Sequence, residues 1–162
     1  MPKCSQKGGP GGSSFSLCVD LPPCEPVGES DRHVLCEHAL SHAAASHECQ
    51  LRGGHLVEIA SEEENDLLAD IAGQTVGTNV WLGGTRTEAF VWSWEQSQRV
   101  FWRGERDGSA EEGVFVKWAP TEPNNSSTVS DEPEKCLALT LGGNDWNDRA
   151  CSLELPFACE ID

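Results

Sequence analysis

The chain has 162 residues, with 27 acidic and 11 basic side chains, a formal net charge of −16 and an apolar fraction of 38%. That length makes one domain, and no apolar run approaches the roughly 18 residues that cross a membrane. The charge and the lack of Lys/Arg clusters exclude a nucleic-acid or anionic-membrane partner, whose phosphates would be repelled.

In chain order, residues 1–30 are rich in Gly, Pro and Ser, including Gly8-Gly9-Pro10-Gly11-Gly12. Such a stretch builds no core, and residues 1–23 read as an arm tied down by cysteines. No apolar leader follows Met1, so the chain reads as a mature or trimmed one. A first helix is expected from the N-cap Ser41 through Ala43–Ala45 to Arg52, stopped by Gly53-Gly54. Leu56-Val57-Glu58-Ile59 reads as a strand. A second helix starts with a capping box, Ser61 and Glu64. Its residues Leu67, Leu68 and Ile71 fall on one face, and Gly73 and Gly77 end it. Val80–Gly84, Phe90–Trp94, Val114–Trp118, Leu137–Leu141 and Phe157–Glu160 read as strands, with a polar loop over 103–113. Two helices followed by strands make an α+β domain.

The eight cysteines are Cys4, Cys18, Cys24, Cys36, Cys49, Cys136, Cys151 and Cys159. None forms C-x-x-C, which excludes a zinc ribbon and a thioredoxin-type motif. Their clustering at both ends suggests disulfides and an oxidising, extracellular or cell-surface compartment. His38 and His42 are four apart, a helical zinc spacing, but an exposed helix face explains them better. No Ser-His-Asp set, catalytic cysteine frame or phosphate loop is present, so no enzyme activity is expected.

Most of the chemistry lies between Trp118 and Asp148. Glu122-Pro123-Asn124 stands on one side of a strand and Trp146-Asn147-Asp148 on the other, with Glu134 two residues before Cys136. Glu122, Asn124, Glu134, Asn147 and Asp148 offer only oxygens, a hard-cation set suited to Ca2+. Asp131 and Glu132 are rivals to Glu134. Two N-glycosylation sequons begin at Asn124 and Asn125. Trp81, Trp92, Trp94, Trp118 and Trp146 read as core, and Trp102 is the one candidate for stacking on a sugar.

Together these residues resemble the C-type lectin domain, over about residues 24–160. Cys49-Gln50-Leu51-Arg52-Gly53-Gly54 and Ser61–Glu64 look like the family's two-helix opening, Trp81-Leu82-Gly83-Gly84 like its central strand, and the Glu-Pro-Asn and Trp-Asn-Asp motifs like its principal calcium and sugar site. The resemblance implies two helices flanking small antiparallel sheets, a long calcium-binding loop region, and a recognition domain over 24–162. It implies disulfides Cys49–Cys159 and Cys136–Cys151, Cys24–Cys36 as the long form's extra pair, and Cys4–Cys18 by elimination. It implies one principal Ca2+ that a sugar joins through two vicinal hydroxyls, with Glu122 and Glu134 accepting hydroxyl protons, Asn124 and Asn147 donating, and Asp148 on the metal. Pro123 would follow a cis peptide. The Glu-Pro-Asn order resembles members that take mannose, glucose, fucose or N-acetylglucosamine, and a shallow site would call for an oligomer. The alternative within the fold is a module that binds a protein or an ice surface. Arg86, Ala89 and Asn125 do not supply the acidic groups of auxiliary calcium sites, His42 stands where the family has tryptophan, and the loop 103–113 is an insertion.

Overall fold

The computed structural model describes residues 3–7, 15–19, 21–29, 31–129 and 131–162, and for 3–7 and 15–19 the backbone alone. Strands β1 (Lys3–Lys7) and β2 (Phe15–Val19) form their own antiparallel pair, with Cys4 opposite Cys18. The expected bridge between those two side chains lies outside the described residues.

The remaining strands join in one ten-stranded sheet around helices α1 (His42–Leu51) and α2 (Glu62–Thr75). β3 (Cys24–Pro26), β4 (His33–Leu40), β12 (Leu155–Ile161), β6 (Val80–Arg86), β7 (Val91–Trp94), β8 (Val100–Arg103) and β9 (Ser109–Ala110) follow one another across it. β5 (Gly54–Leu56) pairs with β12, and β10 (Glu134–Leu139) lies between β6 and β11 (Trp146–Ala150). The α+β class stands. Both helix starts are capped as the sequence indicates: Ser41 Oγ accepts from Ala44 N and Ser61 Oγ from Glu64 N. The Glu64 carboxylate accepts from Ala60 N, one residue before the cap.

Three bridges hold this frame: Cys24–Cys36, Cys49–Cys159 and Cys136–Cys151. One core cluster surrounds Trp81, Phe157 and the Cys49–Cys159 bridge. The other is aromatic, with Trp92, Trp94, Phe101 and Trp146 buried and Trp118, Trp102 and Phe115 packed against them. Edge-on contacts such as Trp94 to Trp146 at 5.6 Å interlock these rings in the geometry their quadrupoles favour. Trp81, Trp92, Trp94 and Trp146 are therefore buried core and Trp118 packs against it, as read from the sequence.

Several elements differ from the sequence reading. Val114–Trp118 is not a strand. Its alternation comes from Val114, Phe115, Val116 and Trp118 resting on the aromatic cluster, and only Trp118 bridges to Trp146. The strand after Gly53 ends at Leu56, before Val57 and Ile59. Gly73 lies inside α2, and Gly77, at φ +61°, follows the Val76 cap. Leu67 faces outward, because the buried stripe is Asn65, Leu68, Ala69 and Ala72. His38 is on β4, so the spacing to His42 is not helical and the zinc pair does not form. Its Nε2 lies 2.8 Å from Glu48 Oε1. His42 is not exposed either. It is buried edge-on against Trp81, and its Nε2–H donates to the Leu82 carbonyl at 2.9 Å. Burial holds its pKa down, which keeps the ring neutral.

Candidate cation and ligand site

The sheet delivers three of the candidate residues, Glu134 on β10 and Asn147 and Asp148 on β11, and the loop between Trp118 and β10 carries Glu122 and Asn124. On β11 the burial alternates, so Trp146, Asp148 and Ala150 face inward. Trp146 N donates to Lys117 O at 2.7 Å, and Ala119 N donates to Trp146 O at 2.9 Å. Those two bonds lay the chain entering Glu122 alongside the start of β11. Glu134 opens β10, which is paired with β11 and stapled near its end by Cys136–Cys151. The loop 119–133 therefore starts and finishes beside Asp148.

Asp148, 1% exposed, is the anchor of that loop. Its Oδ1 accepts from Asn124 N at 3.1 Å and its Oδ2 from Asn125 N at 2.7 Å. A buried carboxylate needs such donors. The Glu122–Pro123 peptide is cis, as expected. Asn124 Nδ2 donates to Glu122 Oε1 at 3.0 Å, and Asn124 Oδ1 accepts from Ser126 N at 2.8 Å.

The electrostatics are those of crowded anions. Burial pushes the Glu122 carboxyl up to about 7, helped by the neighbouring acidic side chains of Asp148 and Glu134. Burial likewise pushes Glu134 up to about 7, Asp148 adding to the rise while Arg149, Ser126 N–H and Arg86 oppose it. Glu122 Oε2 and Asn147 Oδ1 are both buried without a hydrogen-bond partner. An unpaired buried oxygen on Glu122 among repelling carboxylates is what a hard cation satisfies, and Asn147 Oδ1 on β11 is a second unpaired oxygen, so the donor chemistry fits calcium. The oxygens are not gathered into a closed cage. Among the described residues, three His, Cys, Asp or Glu ligand atoms come within 4.8 Å of one another only at Cys24, Cys36 and Glu48, where both sulfurs are in a disulfide.

Of the rivals to Glu134, Glu132 is engaged elsewhere. The Glu132 carboxylate accepts from Ser152 N at 3.0 Å and from the Ser152 hydroxyl, and Asp131 is exposed. The residue that sequence reasoning valued too little is Arg86. It is 8% exposed and closes the loop from the β6 side. Its Nε donates to Glu134 O at 2.8 Å, its Nη2 to Asn125 Oδ1 at 2.8 Å and its Nη1 to Thr87 O at 3.1 Å, with the guanidinium 4.3 Å above the Phe90 ring. Asn125 Oδ1 also accepts from Glu134 N at 2.8 Å. The acidic groups absent at Arg86 and Asn125 are thus replaced by an internal cation and an amide that tie both ends of the loop. Trp102, the candidate for stacking, is half-buried against the aromatic cluster, edge-on to Trp118 at 6.2 Å, and its Nε1 donates to Gly104 O and Glu105 O, both at 3.1 Å.

The family model described as "Lectin C-type domain" matches residues 38–161. Collectin-11 of Bos taurus is 31% identical over 137 residues, 83% of this chain and 44% of that protein. An alpha-N-acetylgalactosamine-specific lectin of Patiria pectinifera is 33% identical over 117 residues, 67% of this chain and 58% of that protein. The chain spans about half the length of the curated relatives it matches. Among solved structures, a calcium-independent type II antifreeze protein superposes with a TM-score of 0.58 at 26% identity, covering 87% of this chain and 92% of the other.

Proposed function

The chain belongs to the C-type lectin domain family, and from that premise we propose that it binds carbohydrate, without turnover, through one Ca2+ held by Glu122, Asn124, Glu134, Asn147 and Asp148. Bound there, calcium would supply coordination positions for two vicinal hydroxyls of a sugar. Glu122 and Glu134 would accept the hydroxyl protons, and the Asn124 and Asn147 amides would donate to the hydroxyl oxygens. Charge-assisted bonds of this kind are short and directional. The backbone N–H groups of Asn124 and Asn125 each donate to one oxygen of the buried Asp148 carboxylate. The observation that carries this reading is the buried, unpaired Glu122 Oε2 on a carboxyl that burial and its acidic neighbours Asp148 and Glu134 lift to about 7, with Asn147 Oδ1 a second buried, unpaired oxygen.

The Glu-Pro-Asn order supports mannose, glucose, fucose or N-acetylglucosamine as the sugar, presented on extracellular or cell-surface glycans. The binding unit comprises residues 24–162, since β3 and the Cys24–Cys36 bridge extend the folded sheet ahead of residue 38. Among the described residues no helix is long and apolar enough to cross a membrane. A second reading rests on the antifreeze relative: a scaffold of this kind that takes an ice or protein surface without sugar. A glycan array run with calcium and with EDTA separates them. Calcium-dependent signals on terminal mannose-type sugars support the lectin reading, and an array silent in both conditions refutes it.

A further inference from the structure

An open groove of about 510 Å3 lies between Asn124 and the inserted loop, lined by Gly104, Glu105, Arg106, Asp107 and Gly108. Ligand clefts span roughly 300–1,000 Å3. The loop wall is built, not draped. β8 and β9 pair Arg103 with Ser109. Gly104 N donates to Phe90 O at 2.8 Å and Gly108 N to Glu105 O at 2.8 Å, while the Trp102 indole holds Gly104 O and Glu105 O from beneath. Gly108 admits no side chain, because a Cβ there would sit 2.2 Å from Arg103 O.

The loop backbone is held in place, and its polar side chains are open to solvent. Arg106 Nε is 4.0 Å from Asp107 Oδ2, beyond hydrogen-bond distance, and both side chains are mostly exposed. They offer a fork of donors and a carboxylate acceptor to a hydroxyl-rich ligand. Glu105, Arg106 and Asp107 together carry a charge of −1 and so discourage an anionic glycan. Asn124 is shared by this groove and by the proposed sugar site.

We infer that loop 104–108 is the second wall of the ligand groove, and that the chain recognises a neutral oligosaccharide whose second residue lies against Arg106 and Asp107. The inference rests on the reading of Glu122, Asn124, Glu134, Asn147 and Asp148 as the primary sugar site. It is tested by calorimetric titration in millimolar calcium of methyl α-mannoside and a linear α-linked mannotrioside, into the wild type and an Arg106→Ala, Asp107→Ala variant. The wild type is expected to bind the trioside at least about tenfold more tightly than the monosaccharide, above the about threefold that three equivalent residues give by number alone. The variant keeps its methyl mannoside affinity, and the ratio drops to about threefold. A wild-type ratio of threefold or less, or a tenfold ratio that survives the substitutions, overturns the loop inference and leaves the primary site standing. Binding of neither sugar by the wild type overturns the primary reading, and the loop inference with it.

Discussion

Asp148→Asn tests the anchor of the site most directly. The carboxylate is buried on β11 and gives one oxygen to each of the Asn124 and Asn125 backbone N–H groups. Asparagine fills the same volume but replaces one oxygen with NH2. One loop N–H then loses its acceptor and faces another donor. A buried donor left unpaired costs about 1–3 kcal/mol. For a chain of this length each kcal/mol lowers Tm by about 2–4 °C, so the calcium-free variant should melt about 2–12 °C lower. Relief of the repulsion that Asp148 exerts on Glu122 and Glu134 works against this loss and favours the lower half of that range. Calcium affinity should fall by at least about 100-fold, since losing even an outer-shell partner of a metal ligand weakens binding about 10–100-fold. Thermal melts in EDTA and calcium titrations read the two effects separately. A variant that binds calcium as tightly as the wild type refutes the ligand role of Asp148. A variant that melts at the wild-type temperature in EDTA refutes its anchoring role.

Two further outcomes follow from the same geometry. Glu122 and Glu134 sit at about 7 in the folded chain against 4.5 ordinarily, so between these values the folded state holds more protons than the unfolded one. In EDTA, stability should therefore fall as pH rises from about 4.5 to 7, while calcium affinity rises over the same window because binding needs both carboxylates ionised. Melts across that range, beside a Glu122→Gln, Glu134→Gln variant that lacks the slope, check this; a wild-type Tm that climbs more steeply than the variant's in EDTA contradicts it. Arg86→Met removes the donors to Glu134 O and Asn125 Oδ1 and should lower unfolding stability by about 2–4 kcal/mol. An unchanged urea midpoint would show that the brace contributes nothing.

Much of the frame is legible in the sequence where the signal is local or covalent. Ser41 and Ser61 announce both helices because a hydroxyl at the N-cap serves a backbone N–H three residues on. The cysteine order, read through the family resemblance, matches the three described bridges. Pairing between distant segments is less legible. β11 escapes notice because Trp146-Asn147-Asp148 has the composition of a turn, although its burial alternates like a strand. β4 and β8 escape because their partners, β12 and β7, are far away or separated by a polar turn. Val114–Trp118 misleads for the opposite reason: its apolar alternation is real, but what it packs on is rings, not a neighbouring strand.

The site shows the same division between chemistry and placement. Residue types alone identify Glu122, Asn124, Glu134, Asn147 and Asp148 as oxygen donors. They do not reveal that Asp148 spends both oxygens on the loop backbone, or that Arg86 reaches across to hold the loop's two ends. Crowding three carboxylates opposes folding, and the scaffold offsets that strain from outside the site. The Cys136–Cys151 bridge spans 15 residues around β10 and β11, a closure worth about 3 kcal/mol in the chain-entropy view. The interlocked rings of Trp94, Trp118 and Trp146 support the same two segments from beneath. A site built this way keeps its loop in place before any cation arrives. In the proposed reading calcium would act mainly by neutralising the carboxylates of Glu122, Glu134 and Asp148, which would make its binding depend more on pH than on a large folding step.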